Sequence, residues 1–238
     1  MKPAENNRQH SVNCLICGAK LVYMDEAEKR ECAICHRSFP ANASCENGHF
    51  VCDECHSMGA LLFLLPLLLE SREKSPQRLL ETVMANRAVH MHGPEHHSIV
   101  PCVLLTAYHN CGGELDLPRA LREAARRGKQ VPGGACGYLG ACGAAVGAGI
   151  FASVALGASP LSGENWALSQ QLTGECLIRN AELGGPRCCK RTSRTAVSAG
   201  VRFAAEHLGV TMEDERIPCA YARRCSECLK AGCPYYPE

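Results

Sequence analysis

Cys14-Leu-Ile-Cys17, Cys32-Ala-Ile-Cys35, Cys45-Glu-Asn-Gly-His49 and Cys52-Asp-Glu-Cys55 follow one another near the start of the chain, and their spacing decides how this part folds. Each short pair lets one tight turn aim two side chains at a single ion, and Gly18, Pro40 and Asn47-Gly48 supply turn formers between the pairs. Eight soft or borderline ligands are enough for two closed tetrahedral sites. The pattern therefore predicts two zinc ions held by Cys14, Cys17, Cys32, Cys35, Cys45, His49, Cys52 and Cys55. A segment this small cannot fold on apolar burial alone, so the metal supplies folding free energy. His56, next after the last pair, reads as a surface residue and not as a ninth ligand.

Eighteen cysteines occur in 238 residues: seven between Cys14 and Cys55, eleven between Cys102 and Cys233. The opening MKPAENNRQHSVN is polar and has no apolar core of a secretory signal, which predicts a cytoplasmic chain with reduced thiols. With 46% hydrophobic residues the chain can bury an ordinary core, so metal ligation is a better use of the cysteines than a disulfide framework. The apolar run Gly59–Leu69 is shorter than the roughly 20 residues of a membrane span, and Pro66 interrupts it. It reads as a buried helix or interface segment, with no membrane partner. A net charge of +1 does not indicate nucleic-acid binding by bulk electrostatics. Two local basic patches stand out, Arg119/Arg122/Arg126/Arg127 and Arg187/Lys190/Arg191/Arg194. The first reads as a solvated helix face, whereas the second surrounds a cysteine pair.

From about Ser75 the composition turns helical. Ser75-Pro76 is a cap followed by proline at the first helical position, and Leu79, Leu80, Val83 and Met84 then share a face. Further helices are predicted near 98–109, 117–128, 142–157, 164–182, 189–208 and 225–231. The predicted fold is mainly α: a zinc-binding module over residues 1–58, RING-like or zinc-ribbon, an apolar connection over 59–74, and an all-α cysteine-rich domain over 75–238.

Three motifs in that domain carry chemistry. In Pro132-Gly-Gly-Ala-Cys136-Gly-Tyr-Leu-Gly-Ala-Cys142-Gly-Ala-Ala-Val-Gly-Ala-Gly-Ile150, glycines admit close backbone approach and Cys142 opens a helix whose N-terminal dipole favours a thiolate or an anionic cluster. Gly184-Gly-Pro-Arg187-Cys188-Cys189-Lys190-Arg191 repeats the design with flanking cations. Cys219, Cys225-x-x-Cys228 and Cys233-Pro234 add sulfur near the C-terminus, and a cysteine before proline also ends one ferredoxin ligand run. Cys136, Cys142, Cys188, Cys189, Cys219, Cys228 and Cys233 are thus the predicted ligands of one or more iron–sulfur clusters of the 4Fe–4S type. Cys102, Cys111 and Cys176 read as packing residues. The third motif, His90-Met-His92-Gly-Pro-Glu95-His96-His97, does not match the helix-borne histidine pair of zinc hydrolases. Proton transfer or substrate orientation is the expected role of His92, Glu95, His96 and His97, with metal ligation and local capping or packing the alternatives.

The stretch from Cys32 to Cys55 resembles part of a RING-type finger, in which alternate pairs share a metal. That resemblance implies Cys32, Cys35, Cys52 and Cys55 on one ion and Cys14, Cys17, Cys45 and His49 on the other; sequential sites are the rival. The extra pair precedes this stretch instead of following it, so ubiquitin-ligase activity does not carry over. HGPEHH, PGGACGYLGACGAAVGAGIF, GGPRCCKR and the terminal Cys228-x4-Cys233-Pro together resemble the family of domain of unknown function 5714, over nearly the whole chain. A more distant similarity is to redox-associated proteins named for a C-GCAxxG-C-C pattern. The first resemblance implies a metal-dependent role in anaerobic metabolism, with a methyltransferase or redox protein as partner. The glycine-rich strand–loop–helix of that methyltransferase is absent, so methyl transfer is not assigned.

The leading expectation is an iron–sulfur protein that catalyses sulfur transfer or a redox step on a small anionic substrate. Its rivals are an electron-transfer or metal-trafficking protein without chemistry of its own, and a zinc-stapled interaction module.

Overall fold

The computed structural model describes residues 13–238. The expectations tied to residues 1–12, a start without secretory signal and the beginning of the N-terminal module, lie outside that range. Among the described residues one antiparallel hairpin precedes eight α-helices. Strands β1 (Leu21–Glu31) and β2 (Ser38–Cys45) pair with Leu21 opposite Cys45 and Glu31 opposite Ser38, with an irregularity between Tyr23 and Glu28.

Helix α1 (Asp53–Glu70) starts inside the last cysteine pair, with Asp53 and Glu54 in its first turn where the helix dipole favours acids. It runs through Pro66 at the cost of one backbone hydrogen bond. Ser57, Ala60, Leu64 and Leu68 are buried on one face, whereas Leu62 is 73% exposed on the other. The apolar run at 59–69 is therefore the half-buried remainder of a helix rooted in the cysteine-rich module.

The Ser75 hydroxyl accepts from the Arg78 N–H at 3.3 Å and starts α2 (Pro76–Met84), which buries Leu79, Leu80, Val83 and Met84. Helix α3 (Glu95–Asn110) is the axis of the domain, buried from Glu95 to Tyr108. Helices α1, α2, α4 (Leu117–Gly128), α6 (Gly143–Ala155) and α8 (Cys189–His207) pack around it. The single turn α5 (Ala135–Tyr138) lies in the glycine-rich stretch, and α7 (Glu164–Leu183) rests on α6 and α8. Where a helix was expected over 225–231 there are two short 3₁₀ turns, Ala222–Arg224 and Lys230–Gly232. Gly232 and Pro234 stop propagation, and the chain bonds only three residues back, from Cys228 N–H to Cys225 O at 3.2 Å and from Gly232 N–H to Leu229 O at 3.1 Å. No helix of the described residues is long and apolar enough to cross a membrane.

The interior is not wholly apolar. Arg194 of α8 is fully buried, pairs with Glu81 of α2, and has its own carbonyl bonded by the Gln77 side chain at 3.0 Å. Its guanidinium also lies 5.8 Å from the centres of the Tyr221 and Tyr235 rings, which ties the C-terminal segment to α8. Removing the carboxylate would strand a buried cation, so Glu81→Ala is expected to lower stability by about 3 kcal/mol in urea denaturation. A variant as stable as the parent would show that the pair is not a support of the fold.

Candidate metal centres and a cysteine-lined cleft

The hairpin itself sorts the N-terminal ligands. Antiparallel strands put the residues before β1 beside those after β2, so Cys14 and Cys17 meet Cys45 and His49 at one end. Cys32 and Cys35 form the turn at the other end, where Cys32 bridges to Phe50 and brings in Cys52 and Cys55. In each quartet the ligand atoms all lie within 4.8 Å of one another. Cys17 and Cys45 sulfurs are 3.8 Å apart, with His49 Nδ1 at 3.3 and 3.5 Å from them, and Cys35 and Cys52 sulfurs are also 3.8 Å apart. Backbone N–H groups of His49 and Cys52 donate to Cys45 and Cys32 at 3.2 and 3.4 Å. The arrangement pairs alternate motifs, not sequential ones.

These sulfurs also differ in how readily each carries charge. Backbone donation from Ala19 and the Asn47 side chain lower Cys17 to about 6. Burial pushes Cys32 up, but backbone donors at Cys35 and Cys52 outweigh it and bring it down to about 6. Burial raises their neighbours Cys14, Cys52 and Cys55. Thiolates in contact cannot all ionise without a cation among them.

Beyond the hairpin lies a cleft of about 1040 Å³. One wall is the N-terminal module, pinned to the glycine-rich stretch: Gly133 N–H donates to Asp53 at 2.7 Å, and Tyr138 hydroxyl donates to the carbonyls of Met24 at 3.1 Å and Asn42 at 3.3 Å. Arg187 closes the same side by bonding the Tyr23 hydroxyl. The opposite wall is made of three helix starts. Cys142 is the N-cap of α6 and Cys188 that of α8, and both residues face the cleft with Cys136 and Cys189.

The predicted cluster ligands thus divide. Cys136, Cys142, Cys188 and Cys189 line the cleft, whereas Cys219, Cys228 and Cys233 do not. Burial and the nearby Cys142 sulfur raise Cys136; burial takes Cys189 up to about 12, although the Gly93 N–H donates to it. Cys188 goes the other way, to about 6, because the Cys225 thiol donates to it and the N–H groups and charge of the first turn of α8 favour its thiolate. Tyr221 and Lys230 N–H groups donate to Cys219 and Cys228 at 3.4 and 3.3 Å. Cys102 and Cys176 are core residues, each pushed up to about 12 by burial.

The histidines of the third motif also divide. His96 Nδ1–H donates to Gly93 O at 3.2 Å and His97 Nδ1–H to Val131 O at 3.0 Å, which leaves both Nε2 atoms as lone-pair acceptors. Both rings line the cleft, and burial keeps both neutral. Burial and then the Arg187 charge lower His92 to about 4. Glu95 does not line the cleft. Its fully buried carboxylate accepts from His90 N–H at 2.8 Å and His90 Nδ1 at 3.2 Å on one oxygen, and from His56 Nδ1 at 3.1 Å on the other. His56, expected on the surface, has a side chain only 19% exposed and is part of this triad. His90 and Cys225 lie in the quoted motifs without an assigned role, and Glu227 is a further site residue that the spacing did not mark.

Fold and site together define a mainly helical, cysteine-rich protein with clustered side chains able to hold metal ions. The chain belongs to the Family of unknown function (DUF5714), whose model matches residues 64–236. That range begins within α1, so the hairpin and both quartets lie before it. No curated protein and no solved structure matches the chain.

The triad has a pH signature. Although burial opposes ionisation, the hydrogen bonds from His56 and His90 hold Glu95 well below the ordinary carboxylate value, so its stabilisation is complete above the unfolded value of about 4.3 and is lost as pH falls toward the folded one. Glu95→Gln is expected to cost about 3 kcal/mol at pH 7 and less as the pH drops below about 4. Urea midpoints of both proteins at the two pH values test this; a gap that does not narrow would remove the ionised carboxylate from the account.

Proposed function

We propose that this is an iron–sulfur protein that binds a small anionic substrate in the cleft and carries out sulfur transfer or a redox step on it, with zinc in the two N-terminal quartets. The observation that carries the reading is the convergence of two cysteine-capped helix starts, α6 at Cys142 and α8 at Cys188, on one cleft. Helix starts favour anions, and backbone N–H groups donate to Cys188 and Cys189 as they do to the quartet sulfurs.

The donor set fits a cluster. Cys136, Cys142 and Cys189, which line the cleft, would hold it. Bound there, the cluster supplies a Lewis acid and an electron reservoir. The rest falls to the chain: Arg187 offers charge to an anion, and His96 and His97 offer neutral Nε2 atoms for a proton. Glu95 acts through His56 and His90 by fixing the loop, as a positioning residue. An electron carrier would enclose its cluster in apolar groups, whereas this cleft exposes arginine and imidazole.

Anaerobically purified protein is expected to contain iron and acid-labile sulfide in similar amounts. Cys142→Ser should lose both, while His97→Gln keeps them and weakens binding of the anion. Cys17→Ser and Cys35→Ser should each remove one zinc per chain, from about two in the quartets. An anaerobic preparation free of iron would falsify the cluster reading and leave the zinc reading to its own count.

A further inference from the structure

We propose that His92, Cys225 and Glu227 form a third mononuclear metal site, for a divalent ion of the zinc class, which staples the C-terminal segment to the loop before α3. It stands apart from the cluster reading, since it uses none of Cys136, Cys142 and Cys189.

Ligand atoms of His92, Cys225 and Glu227 all lie within 4.8 Å of one another. His92 Nε2 is 3.2 Å from Glu227 Oε2, and Cys225 Sγ is 3.8 Å from the same oxygen. These separations match the 3.3 to 3.8 Å that run through the N-terminal quartets. The donors come from two distant parts of the chain, the loop before α3 and the C-terminal segment, as in a site that folding assembles.

Chemistry supports an ion there. The Cys225 sulfur and the Glu227 carboxylate lie 3.8 Å apart, and around one divalent ion both can ionise with no net charge. A sulfur, an imidazole and a carboxylate suit zinc or ferrous iron, and not magnesium or calcium. The segment has little regular backbone of its own: after α8 the described chain has two 3₁₀ turns and no α-helix or strand. Fixing so much irregular backbone is entropically costly, and a cross-link that binds only the folded form offsets that cost.

The test is an anaerobic competition titration of the full chain with Zn(II) and a chromophoric chelator. Beyond the two quartet ions, the parent should bind one further tight equivalent. Cys225→Ser and Glu227→Gln should each weaken that equivalent by about 100-fold or more, whereas Cys142→Ser retains it. Glu227 is partly exposed, so its isosteric variant should fold even if Cys225→Ser does not. Amide exchange of residues 219–236 should slow on adding Zn(II) to the parent and not to Glu227→Gln. The proposal is overturned if the further equivalent is missing, survives in both variants, or disappears in Cys142→Ser. Iron and sulfide contents, measured separately, report on the cluster alone.

Discussion

A helix whose residues Gly143, Ala144, Ala145, Gly147, Ala148 and Gly149 carry almost no side chain can lie against α3 at backbone distance, and the cleft is built on that contact. A Cβ on Gly147 would come within 3.0 Å of His97 O and of Pro101 Cδ, and one on Gly143 would run into the His97 ring. Because those atoms are missing, His97 lies over the first turn of α6, beside the N-cap Cys142. The imidazole and the thiol are thus placed by what the facing helix lacks. The same closeness gives dense packing without large apolar groups, since dispersion depends on contact and not on side-chain size.

A second constraint is electrical. Lys190 and Arg191 occupy the first turn of α8, the end where a helix dipole disfavours cations, and both are buried. Each has an offset. Arg191 bonds the carbonyls of Gly184 at 2.6 Å and Pro186 at 3.0 Å, which shapes the turn that presents Cys188. Among the described residues Lys190 has no hydrogen-bond partner for its ammonium; it lies 4.8 Å from the centre of the Tyr221 ring, and burial lowers it to about 8 against the pull of Glu95 and Cys189. Such a cation is tolerable where negative charge is near. Glu95 supplies part, and Glu81 of α2 adds to it.

Much of this was legible in the sequence because it depends on local spacing. Cysteine pairs, the Ser75-Pro76 start and the small-residue run after Cys142 each act through neighbours in the chain, and each appears as a turn, a cap or a close-packed helix. What was not legible depends on contacts between distant residues. His56 looked like a surface residue because nothing within four residues shows that Glu95, 39 positions away, will face it. Glu95 looked catalytic because its motif is rich in titrating groups, yet hydrogen bonds occupy both of its oxygens. The 225–231 segment had helical composition, but its anchors are rings and thiols that meet α8, and those override propensity.

Adjacent cysteines at the start of α8 bind these constraints together. Cys188 is the extended N-cap and Cys189 the first helical residue, so the two side chains leave the chain from different backbone conformations. In this chain Cys189 receives the Gly93 N–H and feels Cys142, while Cys188 receives the Cys225 thiol and feels the first-turn N–H groups. Gly93 also sits where a Cβ would strike both Glu95 and His56. The loop that fixes the Glu95 triad is therefore the loop that donates to Cys189 and carries His92 toward Glu227. Any group that orders Cys188 and the terminal segment also sets the position of Cys189, one residue away, in the cleft.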